Sequence, residues 1–169
     1  ANGKYYQNLE DNLKSDYPEL ESSLVFDDIN KFISSIFKPR KVLVLVPSGP
    51  ALDEVISLLL EYLDSNDILI DGGNTNPNVS FENHQTIKSK NLLYLGMGVS
   101  GGVKGVLEGP SIMIGGDTNA FDQVKNIFSQ ITSKTINGSK SFEFFGDSNQ
   151  GHFVKMIHNG IEYVEMQLI

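Results

Sequence analysis

The sequence predicts an α/β fold, a doubly wound and mainly parallel sheet, on three observations. Short apolar runs rich in β-branched residues, Val42-Leu43-Val44-Leu45-Val46 and Ile68-Leu69-Ile70, suit strands buried on both faces. Segments of helical periodicity separate such runs, so strand and helix alternate along the chain. Turn-forming residues stand at the strand ends, as in Pro47-Ser48-Gly49-Pro50 and Asp71-Gly72-Gly73-Asn74.

Residues 5–21 are polar and weakly periodic, and read as a helix or a mobile arm. Asp27 N-caps a helix over residues 28–37 with Ile29, Phe32, Ile33 and Ile36 on one face, and Lys38-Pro39-Arg40 stops it. After the first strand, Pro50 suits the opening turn of a helix over residues 51–63, striped by Leu52, Val55, Ile56, Leu59 and Leu60. A second strand over 68–70 precedes a polar helix over 80–88, and strands follow at 92–95 and 111–114. Residues 118–131 form a helix with Phe121, Val124, Ile127 and Phe128 inward, 142–145 a short strand, and 151–169 a final helix. The missing initial methionine and the uncapped final helix predict a fragment, with the sheet incomplete at its N-terminal end.

Composition narrows the function classes. The 169 residues fit one domain, with 40% hydrophobic and 20% charged residues. No apolar run approaches the roughly 20 residues of a membrane span, and no signal pattern opens the chain. Without cysteine there is no disulfide, thiol catalysis or cysteine-type zinc site, and the cytoplasm is the default compartment. A net charge of −8 argues against nucleic acid as a partner. Arg40 is the only arginine, so a phosphorylated substrate would need cationic help from elsewhere.

Two segments bear on chemistry. Gly96-Met97-Gly98-Val99-Ser100-Gly101 matches the dinucleotide pattern G-x-G-x-x-G after a strand. The context is wrong for a pyrophosphate loop: Gly102, Gly105 and Gly109 break the helix that should follow, and only Asp117 could serve as the ribose acid. A glycine loop offering backbone amides to another ligand is the better reading. In the last helix, Lys155, His158, Asn159 and Glu162 fall on one polar stripe at about 100° per residue, opposite Phe153, Ile157, Ile161, Val164 and Leu168. The pattern alone is that of an amphipathic surface helix. The alternative is a stripe facing a ligand, with a lysine base of lowered pKa and a carboxylic acid two turns on.

Together with Asp71-Gly72-Gly73-Asn74, the loop from Gly98 to Gly102 with Gly109-Pro110-Ser111, and Gly151-His152-Phe153-Val154-Lys155-Met156-Ile157-His158-Asn159-Gly160-Ile161-Glu162-Tyr163, this chain resembles the 6-phosphogluconate dehydrogenases. The resemblance runs from about residue 25 to residue 169 and implies a Rossmann-like fold. Residues 1–150 would be a partial NADP-binding domain, and 151–169 the start of the long helix leading into an all-helical domain. It implies the pentose phosphate pathway reaction: oxidative decarboxylation of 6-phosphogluconate to ribulose 5-phosphate and carbon dioxide, with NADP reduced and no metal needed. Lys155 would be the general base and Glu162 the acid that protonates C1. Asn74, Ser100, Gly101, Gly102, His158 and Asn159 would hold the sugar acid, and Tyr163 its phosphate. Val46, Pro47, Ser48 and Asn74 would border the cofactor, and the full-length protein would be a cytoplasmic homodimer.

The chain departs from the family at Pro47-Ser48-Gly49, where lysine-alanine-glycine is usual, at Val103, Val106 and Leu107, and at Val164 and Glu165. Two readings compete: a related 3-hydroxyacid dehydrogenase, and a non-catalytic paralogue kept for binding or assembly.

Overall fold

The computed structural model describes Ser15 and residues 25–169, so the segment expected over residues 5–21 lies, Ser15 apart, outside the described residues. The chain divides into two compact units, residues 1–38 and 39–169. In the first, helix α1 (Ile29–Ser34) is capped by Asp28, one residue later than expected, whose carboxylate accepts the Lys31 N–H at 2.9 Å. It ends before Phe37, which is 94% exposed.

The second unit holds a five-stranded sheet in the order β1-β2-β3-β4-β5. The strands are β1 (Lys41–Val44), β2 (Ile68–Asp71), β3 (Leu93–Ser100), β4 (Ser111–Gly116) and β5 (Phe142–Phe144). Helices α2 (Pro50–Leu59) and α3 (Pro77–Ser89) make the crossovers that parallel pairing of β1, β2 and β3 requires. A short helix α4 (Gly102–Glu108) joins β3 to β4, which are antiparallel. Helix α5 (Thr118–Ile131) crosses to β5, parallel to β4, and α6 (Gln150–Leu168) follows. The prediction of a doubly wound, mainly parallel sheet holds.

On one face, Ile68, Ile70, Leu95, Met97, Ile112 and Ile114 close against Ala120, Val124 and Phe128 of α5. Each such large apolar side chain contributes about 1.5–3 kcal/mol on burial. The opposite face presents Tyr94, Gly96 and Gly98, and receives α3 and α6. Helix α3 begins earlier than the expected residue 80 because Asn76 caps it, accepting the Asn78 N–H at 2.9 Å.

Two strands differ from expectation. β1 is not buried on both faces: Val42 and Val44 are 3% and 4% exposed, but Leu43 and Leu45 are 44% and 66%. It lies at the sheet edge, and the apolar cluster under α5 stops at β2. β3 continues through the expected glycine loop to Ser100, because antiparallel pairing with β4 runs on to Ser100 opposite Ser111.

Arg40 belongs to the scaffold. Its guanidinium meets Asp67 at 2.9 Å and Asp64 at 2.6 Å, where β1 begins. Asp67 also accepts the Arg40 and Asp64 backbone N–H groups, at 2.7 and 2.9 Å. The hydrogen bond to Asp67, then that to Asp64, raises the arginine's already high pKa.

Candidate functional site

Helix α6 is inside out for a surface helix. Its buried residues are Gly151, His152 and Lys155, while Phe153, Ile157, Ile161, Val164 and Leu168 are 42–81% exposed. The polar stripe therefore turns towards the sheet at its N-terminal end. Glycines make the seat. Gly96 and Gly115 are register partners on β3 and β4. A β-carbon on Gly115 would lie 2.6 Å from the Gly151 nitrogen, and one on Gly96 2.9 Å from both His152 Nδ1 and Ser80 Oγ. One on Gly98 would overlap the Lys155 β-carbon and stand 3.0 Å from its Cγ. A bare strip of sheet thus lets the helix backbone approach closely and lays the Lys155 stem across Gly98.

This accounts for the G-x-G-x-x-G match. Its first two glycines lie within β3 beneath α6, and the next strand is antiparallel, whereas the dinucleotide unit is a parallel βαβ. A helix does open after the motif, contrary to expectation. Gly101, at φ 141°, begins α4, and Gly109, at φ 97°, ends it after seven residues. Asp117 serves the scaffold, accepting the Tyr94 N–H at 2.8 Å and standing 3.1 Å from His84 Nε2.

Lys155 is 9% exposed and has no hydrogen bond or salt bridge among the described residues. Burial pushes its pKa down, and the Glu162 carboxylate opposes part of that shift. A lysine so placed has more of its amine free as a base near neutral pH. His158 links the stripe to the loop: Nε2 is 3.4 Å from Ser100 Oγ, while Nδ1 is 3.5 Å from Glu162 Oε2 and 3.4 Å from Asn159 Oδ1. Glu162 itself is half exposed.

At the C-terminal ends of β1 and β2, Ser48, Asn74, Thr75, His152, Met156 and Asn159 line a cavity of about 270 Å³. The Val46 carbonyl abuts the same turn, 3.1 Å from where a Gly73 β-carbon would be. Pro47 and Ser48 are exposed beyond it. Asn74, Ser48 and Asn159 are thus brought together, and so are Ser100, His158 and Glu162. Gly101 lines a separate hollow with Ser100, while Gly102 and Tyr163 stand exposed.

A buried polar chain was missed in the sequence reading. The Tyr94 hydroxyl donates to Asp71 Oδ2 at 3.2 Å, and Ser80 Oγ lies 2.9 Å from Tyr94 Oη and 2.8 Å from His152 Nδ1. Asp71 Oδ1 accepts the Gly73 N–H at 3.0 Å, which shapes the turn before Asn74. Only the placing of His152 three residues before Lys155, on the same helix face, hinted at this.

A family profile described as the NAD binding domain of 6-phosphogluconate dehydrogenase matches residues 8–139. The chain belongs to the 6-phosphogluconate dehydrogenase family. A second profile, the 6-phosphogluconate dehydrogenase C-terminal domain, matches residues 151–169. Decarboxylating 6-phosphogluconate dehydrogenases of Staphylococcus epidermidis and Staphylococcus aureus are each 45% identical over 141 residues, covering 83% of this chain and 30% of the relative. The chain thus spans under a third of the length of these curated relatives. Plasmodium falciparum 6-phosphogluconate dehydrogenase, solved in its apo form and with NADP+ or 6-phosphogluconate, superimposes with a TM-score of 0.85 at 39% identity. That match covers 96% of this chain and 35% of the Plasmodium one. Mycobacterium tuberculosis 3-hydroxyisobutyrate dehydrogenase shares the fold, with a TM-score of 0.68 at 20% identity over 80% of this chain and 44% of its own.

Proposed function

We propose that this chain supplies the base, the acid and much of the sugar-acid site of an NADP-dependent, decarboxylating 6-phosphogluconate dehydrogenase. The observation that supports this most is Lys155, buried against Gly98 with a lowered pKa and on one helix face with His158, Asn159 and Glu162. Residues 1–150 then belong to the NADP-binding domain. Residues 151–169 begin the helix that leads into the helical domain, whose packing would cover the exposed apolar stripe of α6. The full-length protein is a cytoplasmic homodimer acting on the sugar acid and not on nucleic acid.

The residues fit the nicotinamide end of the cofactor. The cavity beside Ser48 and Asn74 lies at the strand ends, where open α/β sheets hold ligands, and Thr75 Oγ1 is buried there with no hydrogen-bond partner among the described residues. Val46, Pro47 and Ser48 form its β1 side. When bound, the cofactor supplies a hydride acceptor for C3 of the substrate. Neutral Lys155 takes the C3 hydroxyl proton as that carbon is oxidised. The resulting β-keto acid loses carbon dioxide as Lys155 returns its proton to the developing enediol oxygen. Glu162 then protonates C1 to give ribulose 5-phosphate. Asn74, Ser100, Gly101, Gly102, His158 and Asn159 hold the sugar acid, and Tyr163 its phosphate.

The experiment is stoichiometry: the full-length protein, given 6-phosphogluconate and NADP, should release one carbon dioxide for each NADPH formed. Reduction of NADP by a simple 3-hydroxyacid in preference to the sugar acid would favour the hydroxyacid dehydrogenase reading instead.

A further inference from the structure

We propose that His152 is a positioning residue, joined through Ser80 and Tyr94 to Asp71 so that the Asn74 turn and the Lys155 helix are held as one unit. The inference rests on the reading of Lys155 and Asn74 above as site residues. Its basis is a hydrogen-bond chain in which every member is nearly or fully buried: Asp71 and Ser80 at 0% exposure, Tyr94 at 0% and His152 at 2%.

The chain has a defined direction. The phenol's single proton goes to Asp71, so the 2.9 Å contact between Ser80 and Tyr94 requires the serine to donate. Ser80 must then accept at 2.8 Å from His152, whose proton therefore lies on Nδ1. Burial holds the imidazole pKa down, against the pull of the Asp71 carboxylate and of the Asp71 and Gly73 backbone. The neutral Nδ1–H tautomer fits both facts. Its other nitrogen, Nε2, faces Asp71 Oδ2 at 4.0 Å and has no hydrogen bond among the described residues.

At one end of the chain, Asp71 Oδ1 fixes the Gly73 N–H, one residue before Asn74. At the other, His152 lies one helical turn before Lys155. Gly96 is needed between them, since a β-carbon there would enter the space shared by His152 Nδ1 and Ser80 Oγ. The four side chains come from β2, α3, β3 and α6, so the chain ties together four elements that sequence leaves far apart. The three hydrogen bonds from Asp71 to His152 Nδ1 lie in the low-dielectric interior, where each is stronger than in water and holds its two elements in register.

The test compares His152→Asn with His152→Gln in the full-length protein. Asparagine places its amide nitrogen where Nδ1 stood and keeps the donor to Ser80; glutamine does not. His152→Gln and Tyr94→Phe should each lower kcat about 100-fold, the cost of misplacing a reacting group by roughly 1 Å. His152→Asn should recover most of that loss at an unchanged melting temperature. The Tyr94→Phe/His152→Gln double variant should be no worse than either single one, as for members of one network. Amide exchange over residues 71–74 and 152–155 should quicken in the glutamine variant and not in the asparagine one. Equal kcat and exchange for the asparagine and glutamine variants, or losses that multiply in the double variant, would overturn the proposal. If the wild-type protein turns over no 6-phosphogluconate, the functional reading falls, and the exchange comparison alone decides whether the chain couples the two segments.

Discussion

Substituting Gly98 by alanine tests the seating of α6 most sharply. The glycine has no positive φ, so the added methyl acts by volume alone. It would overlap the Lys155 β-carbon and lie 3.0 Å from Lys155 Cγ and 3.1 Å from the Gly151 carbonyl oxygen. Packed carbons stay about 3.5–4.0 Å apart, so relieving the overlap with the Lys155 β-carbon moves the helix by roughly 1 Å or more. Overpacking of this kind costs about 1–3 kcal/mol of stability. The same retreat shifts Lys155 relative to the sheet, and a displacement of about 1 Å at a reacting group costs up to ~100-fold in rate. Thermal melting together with kcat for 6-phosphogluconate in the full-length protein measures both. A folded Gly98→Ala protein with wild-type kcat would refute the idea that this bare strip of sheet sets the position of Lys155.

Other outcomes follow from the same geometry. Glu162 raises the Lys155 pKa, so Glu162→Gln should move the acid limb of the kcat/KM profile to lower pH, and a shift upward or none would contradict the pairing. Arg40→Gln should destabilise the protein by about 1–3 kcal/mol, since the buried Asp67 carboxylate loses its charge-paired hydrogen bond and keeps only its two backbone donors, with no change in KM for the sugar acid; calorimetry and steady-state kinetics read the two effects. Burial would raise the Asp117 pKa, but the hydrogen bond from His84 and the Tyr94 N–H outweigh it and hold it below 3.8. A depressed carboxylate stabilises the fold above its unfolded pKa and loses that contribution as pH falls through the folded value. Melting temperature should therefore drop more steeply below about pH 3.8 in wild type than in Asp117→Asn.

The parts of the fold written in local pattern were legible. Residues 118–131 read as one helix because Phe121, Val124, Ile127 and Phe128 recur near a single face, and the structure returns Thr118–Ile131, although Ile127 is 47% exposed and not inward as expected. The β3 boundary was not legible, because glycines that mark a loop in sequence here lie in a strand whose pairing with β4 is a tertiary fact. The exposure of Leu43 and Leu45 also depends on neighbours, since a strand's own residues do not say which of its faces is covered. At the site, the spacing of Lys155, His158, Asn159 and Glu162 placed them on one stripe, but spacing alone left the stripe's direction open. Direction came from Gly96, Gly98, Gly115 and Gly151, which act through backbone approach between distant segments. The chain from Asp71 to His152 was unreadable for the same reason: its four members are joined only by packing.

The most direct test of the account is the rate of NADP reduction by the full-length protein with 6-phosphogluconate, beside its Lys155→Ala variant. Positioned general acid–base catalysis is worth about 10²–10⁴-fold, and the account predicts a loss in that range with the fold intact. Retention of wild-type turnover by the variant would contradict it, because the buried, pKa-lowered amine on α6 would then not be the base.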